Sequence, residues 1–179
     1  MSRIAPLSPP YAVEIQEQFD RIMRGAPPLV LFRVMASQKR AWEKFRGGSL
    51  LDRGPLSLQE REIVIDRTCA LNACEYEWGV HITAFAKAAD LTDEEVRATV
   101  HDGADAPCWS DAEKAMLGAV EALHHRATLS DEEFAALRAH YDDAKILEII
   151  QLCGFYRTVS YLANGLALPL EPNAAPFPK

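Results

Sequence analysis

The stretch Glu62–His81, EIVIDRTCALNACEYEWGVH, concentrates carboxylates, thiols and one imidazole in a segment that otherwise reads as helical core. Cys74, Glu77 and His81 are spaced i, i+3, i+7. On an α-helix those offsets share one stripe. A nucleophile, an acid or base and a proton carrier would then face the same way. The imidazole suits proton transfer at cellular pH. Glu77, one turn before it, can orient the ring or pass a proton itself. Tyr76 and Trp78 bracket Glu77, and they are expected to wall a substrate pocket.

Glu62 precedes Cys74 by twelve residues. On an unbroken helix it lies roughly 120° off the stripe. A break at Leu71-Asn72 removes the conflict, because Asn is a poor interior residue and a good N-cap. With Asn72 as cap, Cys74 falls in the first turn of a second helix, where the dipole and free N–H groups favour a thiolate. Glu75 and Glu77 act in the opposite sense, since nearby negative charge raises a thiol pKa.

These residues need elements to hold them, and the helix-start chemistry marks the elements. Ser57…Glu60, Thr92…Glu95, Ser110…Glu113 and Ser130…Glu133 each read as a capping box before an apolar-periodic run. Ahead of them, one helix is expected from about Tyr11 to Arg24, stopped by Gly25. A second runs from Pro27-Pro28 to Arg46, stopped by Gly47-Gly48. The last long helix spans about Ala144 to Ala163, with Gly165 ending it. No period-2 strand pattern occurs. The proline-bearing ends, residues 1–10 and PLEPNAAPFPK, read as extended segments; the first is expected to wrap a neighbouring subunit or to stay disordered. The expectation is one all-α domain over residues 1–179, with seven to eight helices.

Composition bounds the function. The chain has 179 residues, 49% hydrophobic and 25% charged, which is ordinary for a globular chain. A net charge of −7 argues against a nucleic-acid surface. Cys69, Cys74, Cys108 and Cys153 match neither a zinc pattern nor a disulfide framework. The N-terminus shows no signal-peptide pattern, and no apolar run approaches the ~18–20 residues that span a bilayer. A cytoplasmic protein with reduced thiols and no membrane partner is expected. Glu77 and His81 alone are too few to hold a metal, and His124-His125 face apart on a helix. No metal or other cofactor is expected.

The motif resembles the carboxymuconolactone decarboxylase family, which includes alkylhydroperoxidase AhpD-like proteins. Its peroxidase branch carries Glu, eleven residues, then Cys-x-x-Cys-x-x-x-His. Glu62, Cys74 and His81 match that frame, while Glu77 stands where the second cysteine belongs. The decarboxylase branch is similar to Trp/Cys-x-x-Glu-x-x-x-His, which Cys74–His81 follows more closely. The core resemblance covers about residues 45–130, and Leu152–Leu170 is similar to the end of longer members. The resemblance implies an AhpD-like helical fold assembled as a dimer, trimer or hexamer. It implies an enzyme acting by acid/base chemistry on a small carboxylated or lactone substrate. Glu77 and His81 form the acid/base pair, Glu62 assists and Cys74 lines the pocket. Arg157, beside Tyr156 on the last helix, is a candidate for holding a substrate carboxylate, since a guanidinium matches it bidentately.

A thiol peroxidase is the alternative. Cys74 would attack a hydroperoxide and become a sulfenic acid, and a thiol reductant would restore it. Cys69, five residues upstream, does not share a helical face with Cys74 cleanly, and Cys153 is the thiol left to approach it in space. A third reading is a helical oligomer without catalysis.

Overall fold

The computed structural model describes residues 2–179. Helix starts follow local chemistry. Ser57, Thr92, Ser110 and Ser130 all form reciprocal capping boxes. At the first, Ser57 Oγ accepts from the Glu60 amide at 3.1 Å, and Glu60 Oε2 accepts from the Ser57 amide at 2.7 Å. Each cap contributes about 1 kcal/mol. They open α4 (Leu58–Leu71), α6 (Asp93–Val100), α7 (Asp111–Arg126) and α8 (Asp131–Arg138). Asp142 caps α9 (Asp143–Gly165), where its side chain accepts from the Lys145 amide. Ahead of these lie α1 (Val13–Met23), α2 (Val30–Met35) and α3 (Lys39–Gly47), and α5 (Glu75–Phe85) follows α4. No strand occurs among the described residues, as expected.

The described residues form nine α-helices because the expected second helix is two. Ser37 Oγ donates to the Val34 carbonyl, and Gln38 takes an extended conformation at φ −128°, ψ 109°. Such side-chain bonding competes with the helical ladder. The chain turns there, so Trp42 packs back on Phe19 at 5.6 Å between ring centroids. α1–α3 thus build their own aromatic cluster, joined to the main core through Phe45 and Phe155.

α4 runs through the middle of the molecule. It packs against α5, α6, α7 and α9. Every residue from Glu62 to Cys69 is buried, so α4 buries both its apolar and its polar sides. Ile63, Val64 and Ile65 fill the core. The polar residues must find partners inside. Arg67 does so with Glu121 and the Thr99 and Val100 carbonyls.

Residues 2–10 and the C-terminal tail lie on the chain's own body. Arg3 N donates to the Leu166 carbonyl and Leu7 N to that of Arg33, so residues 2–10 bind in cis instead of trailing. The tail crosses α5. Ala175 N donates to the Gly79 carbonyl, Phe177 N to Glu75, and the Phe177 ring packs on Trp78 at 5.2 Å. Gly79 is the contact that requires a glycine, because a Cβ there would collide with the Ala175 carbonyl. Ala in place of Gly gains about 1 kcal/mol of helix propensity, but the crossing then loses its seat. Gly79→Ala is therefore expected to release residues 171–179, read as faster amide exchange and proteolysis there. Unchanged protection would refute this.

Candidate active site

The turn between α4 and α5 solves the placement of Glu62. Asn72 is the C-cap of α4, not the N-cap of α5, and its Nδ2 donates to the Thr68 carbonyl at 2.7 Å. Ala73 takes a left-handed conformation, φ 49°. Cys74 itself is the N-cap of α5. α5 then folds back along α4. The register is set at one end by His81 against Glu62 and at the other by Cys74 N donating to the Cys69 carbonyl at 2.9 Å. Cys69 is thereby brought beside Cys74, contrary to the expectation from an unbroken helix: the chain reverses between them. The same register brings Asp66 near His81 and Glu77 near Cys69. One stripe of α4, Glu62, Asp66 and Cys69, faces the α5 stripe Cys74, Glu77 and His81. Tyr156 and Ser160 of α9 close the seam.

His81 is at its centre and only 3% exposed. Its Nδ1 lies 2.7 Å from Glu62 Oε2, and its Nε2 lies 3.5 Å from Glu77 Oε1. Tyr156 packs edge-on against the ring at 5.1 Å. Burial disfavours the charged ring, but Glu62 and then Glu77 outweigh it and raise its pKa to about 10. His81 is therefore an imidazolium at neutral pH. Glu62 is fully buried and satisfied, with Arg61 on Oε1 at 2.7 Å and His81 on Oε2. Glu62 fixes the ring and leaves Nε2 directed at Glu77. Glu77 is buried, yet its Oε2 has no hydrogen-bond partner among the described residues.

The thiols are not activated. Burial pushes Cys74 up, although the amides of Glu77 and Tyr76 and the Ser160 hydroxyl act to lower it. The helix N-terminus does act on Cys74, and desolvation wins. Cys69 is raised further by burial and by the charges around it, Glu77 first.

Tyr76 and Trp78 bond away from His81. The Tyr76 hydroxyl joins Glu171 and the Leu31 amide, and Trp78 Nε1 donates to Thr99 Oγ1. They hold α5 to the tail and to α6. Arg157 faces α7, where Nη1 donates to the His124 carbonyl. Two clefts, at residues 138–144 and between α4, α7 and α9, also lie away from His81.

Asp66 was not singled out by sequence reasoning, although its place one turn after Glu62 is the signal that could have found it. It is 1% exposed, and neither carboxyl oxygen has a partner among the described residues. Burial raises its pKa well above the usual carboxylate range; His81 opposes this and Glu62 adds to it. A carboxyl whose folded pKa is raised gives stability that is full below the unfolded pKa, near 3.9, and declines as pH rises above it. Asp66→Leu keeps the branching and removes the unsatisfied oxygens. It is expected to raise stability at pH 7 by about 1–3 kcal/mol. The gain should shrink towards pH 4 in urea titrations. A constant or negative difference would show Asp66 to be partnered.

Residues 38–122 match the model of the carboxymuconolactone decarboxylase family. No curated protein sequence matches the chain. Solved structures do. An uncharacterized peroxidase-related protein from Silicibacter sp. TM1040 superposes with a TM-score of 0.84 at 19% identity, over 99% of this chain and 96% of that one. An AhpD-core, peroxidase-related protein from Ralstonia eutropha JMP134 gives 0.83 at 19% identity, over 96% and 93%. The debrominase Bmp8, as a cysteine-to-alanine variant in complex with 2,3,4-tribromopyrrole, gives 0.79 at 16% identity, over 97% and 94%. At these identities the likeness is one of fold. Together with the match over residues 38–122, it gives the chain the AhpD-like helical fold and a central segment similar to the carboxymuconolactone decarboxylase family.

Proposed function

We propose that the chain is a carboxymuconolactone decarboxylase-like enzyme, acting by acid/base chemistry on a small carboxylated or lactone substrate. The observation that carries this is His81 held between two buried carboxylates, Glu62 on Nδ1 and Glu77 near Nε2. A ring charged at neutral pH is a proton donor, and Glu77, with one unpartnered oxygen, is the matching acceptor. In a decarboxylation the C–C bond to the leaving carboxylate breaks and its electron pair moves into the adjacent carbonyl. His81 then returns a proton to that carbon. The test is deuterium incorporation from D₂O into lactone and β-keto acid probes, followed by NMR. The wild-type chain should label the carbon next to the carbonyl, and Glu77→Gln should not. Equal labelling by both would sink the proposal.

One observation favours a second reading as a thiol peroxidase: Cys69 adjoins Cys74 across the turn. Cys74 sulfur would take the terminal oxygen of a hydroperoxide, releasing an alcohol. The Cys69 thiol would displace water from the sulfenic acid to form a disulfide, and a thiol reductant would reopen it. Loss of peroxide consumption in Cys74→Ser is the expected sign. We rank it second because burial raises both thiols.

The proposal includes a homo-oligomer. Phe134 on α8 and Leu147 on α9 are large apolar side chains left exposed, which supports a contact between copies.

A further inference from the structure

On the far side of α4 from His81, a crevice of about 220 Å³ opens between α4, α7 and α9. Val120, Leu123, Ala127 and Ile150 supply apolar walls, and Arg157 stands among the lining residues. No Asp or Glu lines it. Arg157 is held in place, with Nη1 on the His124 carbonyl at 2.9 Å and Nε on the Tyr161 hydroxyl at 2.6 Å. Its Nη2 has no hydrogen bond, and it forms no ion pair among the described residues.

That is notable in a chain with 26 acidic residues and a net charge of −7. A fixed guanidinium with free donors, at the edge of an apolar crevice, is shaped for an anion. His124 also lines the crevice. His124 Nδ1 is buried with no partner. Burial, and then the charge of Arg157, hold that ring towards its neutral form. A neutral ring beside the guanidinium leaves Arg157 as the cation of the crevice.

We propose that this crevice is a binding site for a small carboxylate with an apolar body. Arg157 takes the carboxylate, and the α7 and α9 side chains take the hydrocarbon. The volume is below the roughly 300–1,000 Å³ of sites for drug-sized ligands, so the ligand is compact, with benzoate as a suitable probe. The site is separate from the His81 seam and stands whether or not proton transfer occurs there.

The experiment is titration of the full chain with benzoate and with benzamide, its neutral isostere, by amide NMR and calorimetry. Saturable shifts at Thr68, Leu123 and Gly154 are expected, with benzamide at least tenfold weaker. Arg157→Gln should weaken benzoate at least tenfold. Gly154→Leu is a second variant, because a Cβ at Gly154 meets nothing within 4 Å. Its side chain should fill the crevice and abolish binding without disturbing the helix. If Arg157→Gln does not fold, Gly154→Leu and the benzoate–benzamide contrast decide. Equal affinity for the two probes, unchanged binding in Gly154→Leu, shifts centred on His81, or no saturation would each overturn the proposal.

Discussion

Glu62→Ala is expected to lower the free energy of unfolding by about 3–5 kcal/mol at pH 6, the range for removing one member of a buried, hydrogen-bonded charge pair. Two cations depend on this carboxylate. Arg61 reaches Oε1 at 2.7 Å and His81 reaches Oε2 at 2.7 Å. The variant leaves His81 3% exposed, with Glu77 at 3.5 Å as its remaining ion-pair partner among the described residues. Glu62→Gln keeps the volume and should cost less, which separates lost charge from lost packing.

The pH dependence gives this prediction its sign. A histidine whose folded pKa is raised contributes stability that is full below its unfolded pKa, near 6.5, and is lost as pH rises through the folded value. Here that value is about 10. The wild-type advantage over Glu62→Gln should therefore be largest at pH 6 and shrink steadily towards pH 10. Urea midpoints across this range measure it. An advantage that is flat with pH would mean that His81 is neutral in the native protein.

What could be read from the chain alone was what local chemistry decides. Ser57, Thr92, Ser110 and Ser130 start helices because a hydroxyl and a glutamate three residues on satisfy each other's backbone. Cys74, Glu77 and His81 share a face for the same local reason. The rest depends on contacts distant in sequence. Asn72 closes α4 instead of opening α5, since its side chain reaches back to the Thr68 carbonyl. Nothing near residue 175 indicates that its backbone will cross Gly79. The break at Ser37 turns Trp42 onto Phe19 of α1, a contact across 23 residues that the local sequence does not announce. Asp66 was hidden because an aspartate among Ile65, Arg67 and Thr68 reads as the polar side of a helix. Only the burial of α4 on all sides makes it a core residue.

The His81 seam yields the other large effect. His81→Ala should lower kcat by about 10²- to 10⁴-fold on any substrate that the wild-type chain labels or decarboxylates, the usual worth of a positioned general acid or base. Glu77→Gln should cost about 10²-fold or more, because it keeps the shape of the oxygen near Nε2 and removes its basicity. Both losses should appear equally in kcat and kcat/KM, the mark of an interaction made only in the transition state. The rate should fall as pH rises through about 10, where His81 loses the proton it donates. Cys74→Ser separates this chemistry from the peroxidase reading. Under acid/base catalysis the thiol is a buried neighbour, so the variant should turn over within a few-fold of the wild type. Peroxide chemistry instead requires that sulfur, and the serine variant would consume no hydroperoxide. Measured side by side, a chain whose turnover ignores Cys74 and fails without Glu77 and His81 is a proton-transfer enzyme; the reverse pattern makes it a thiol peroxidase.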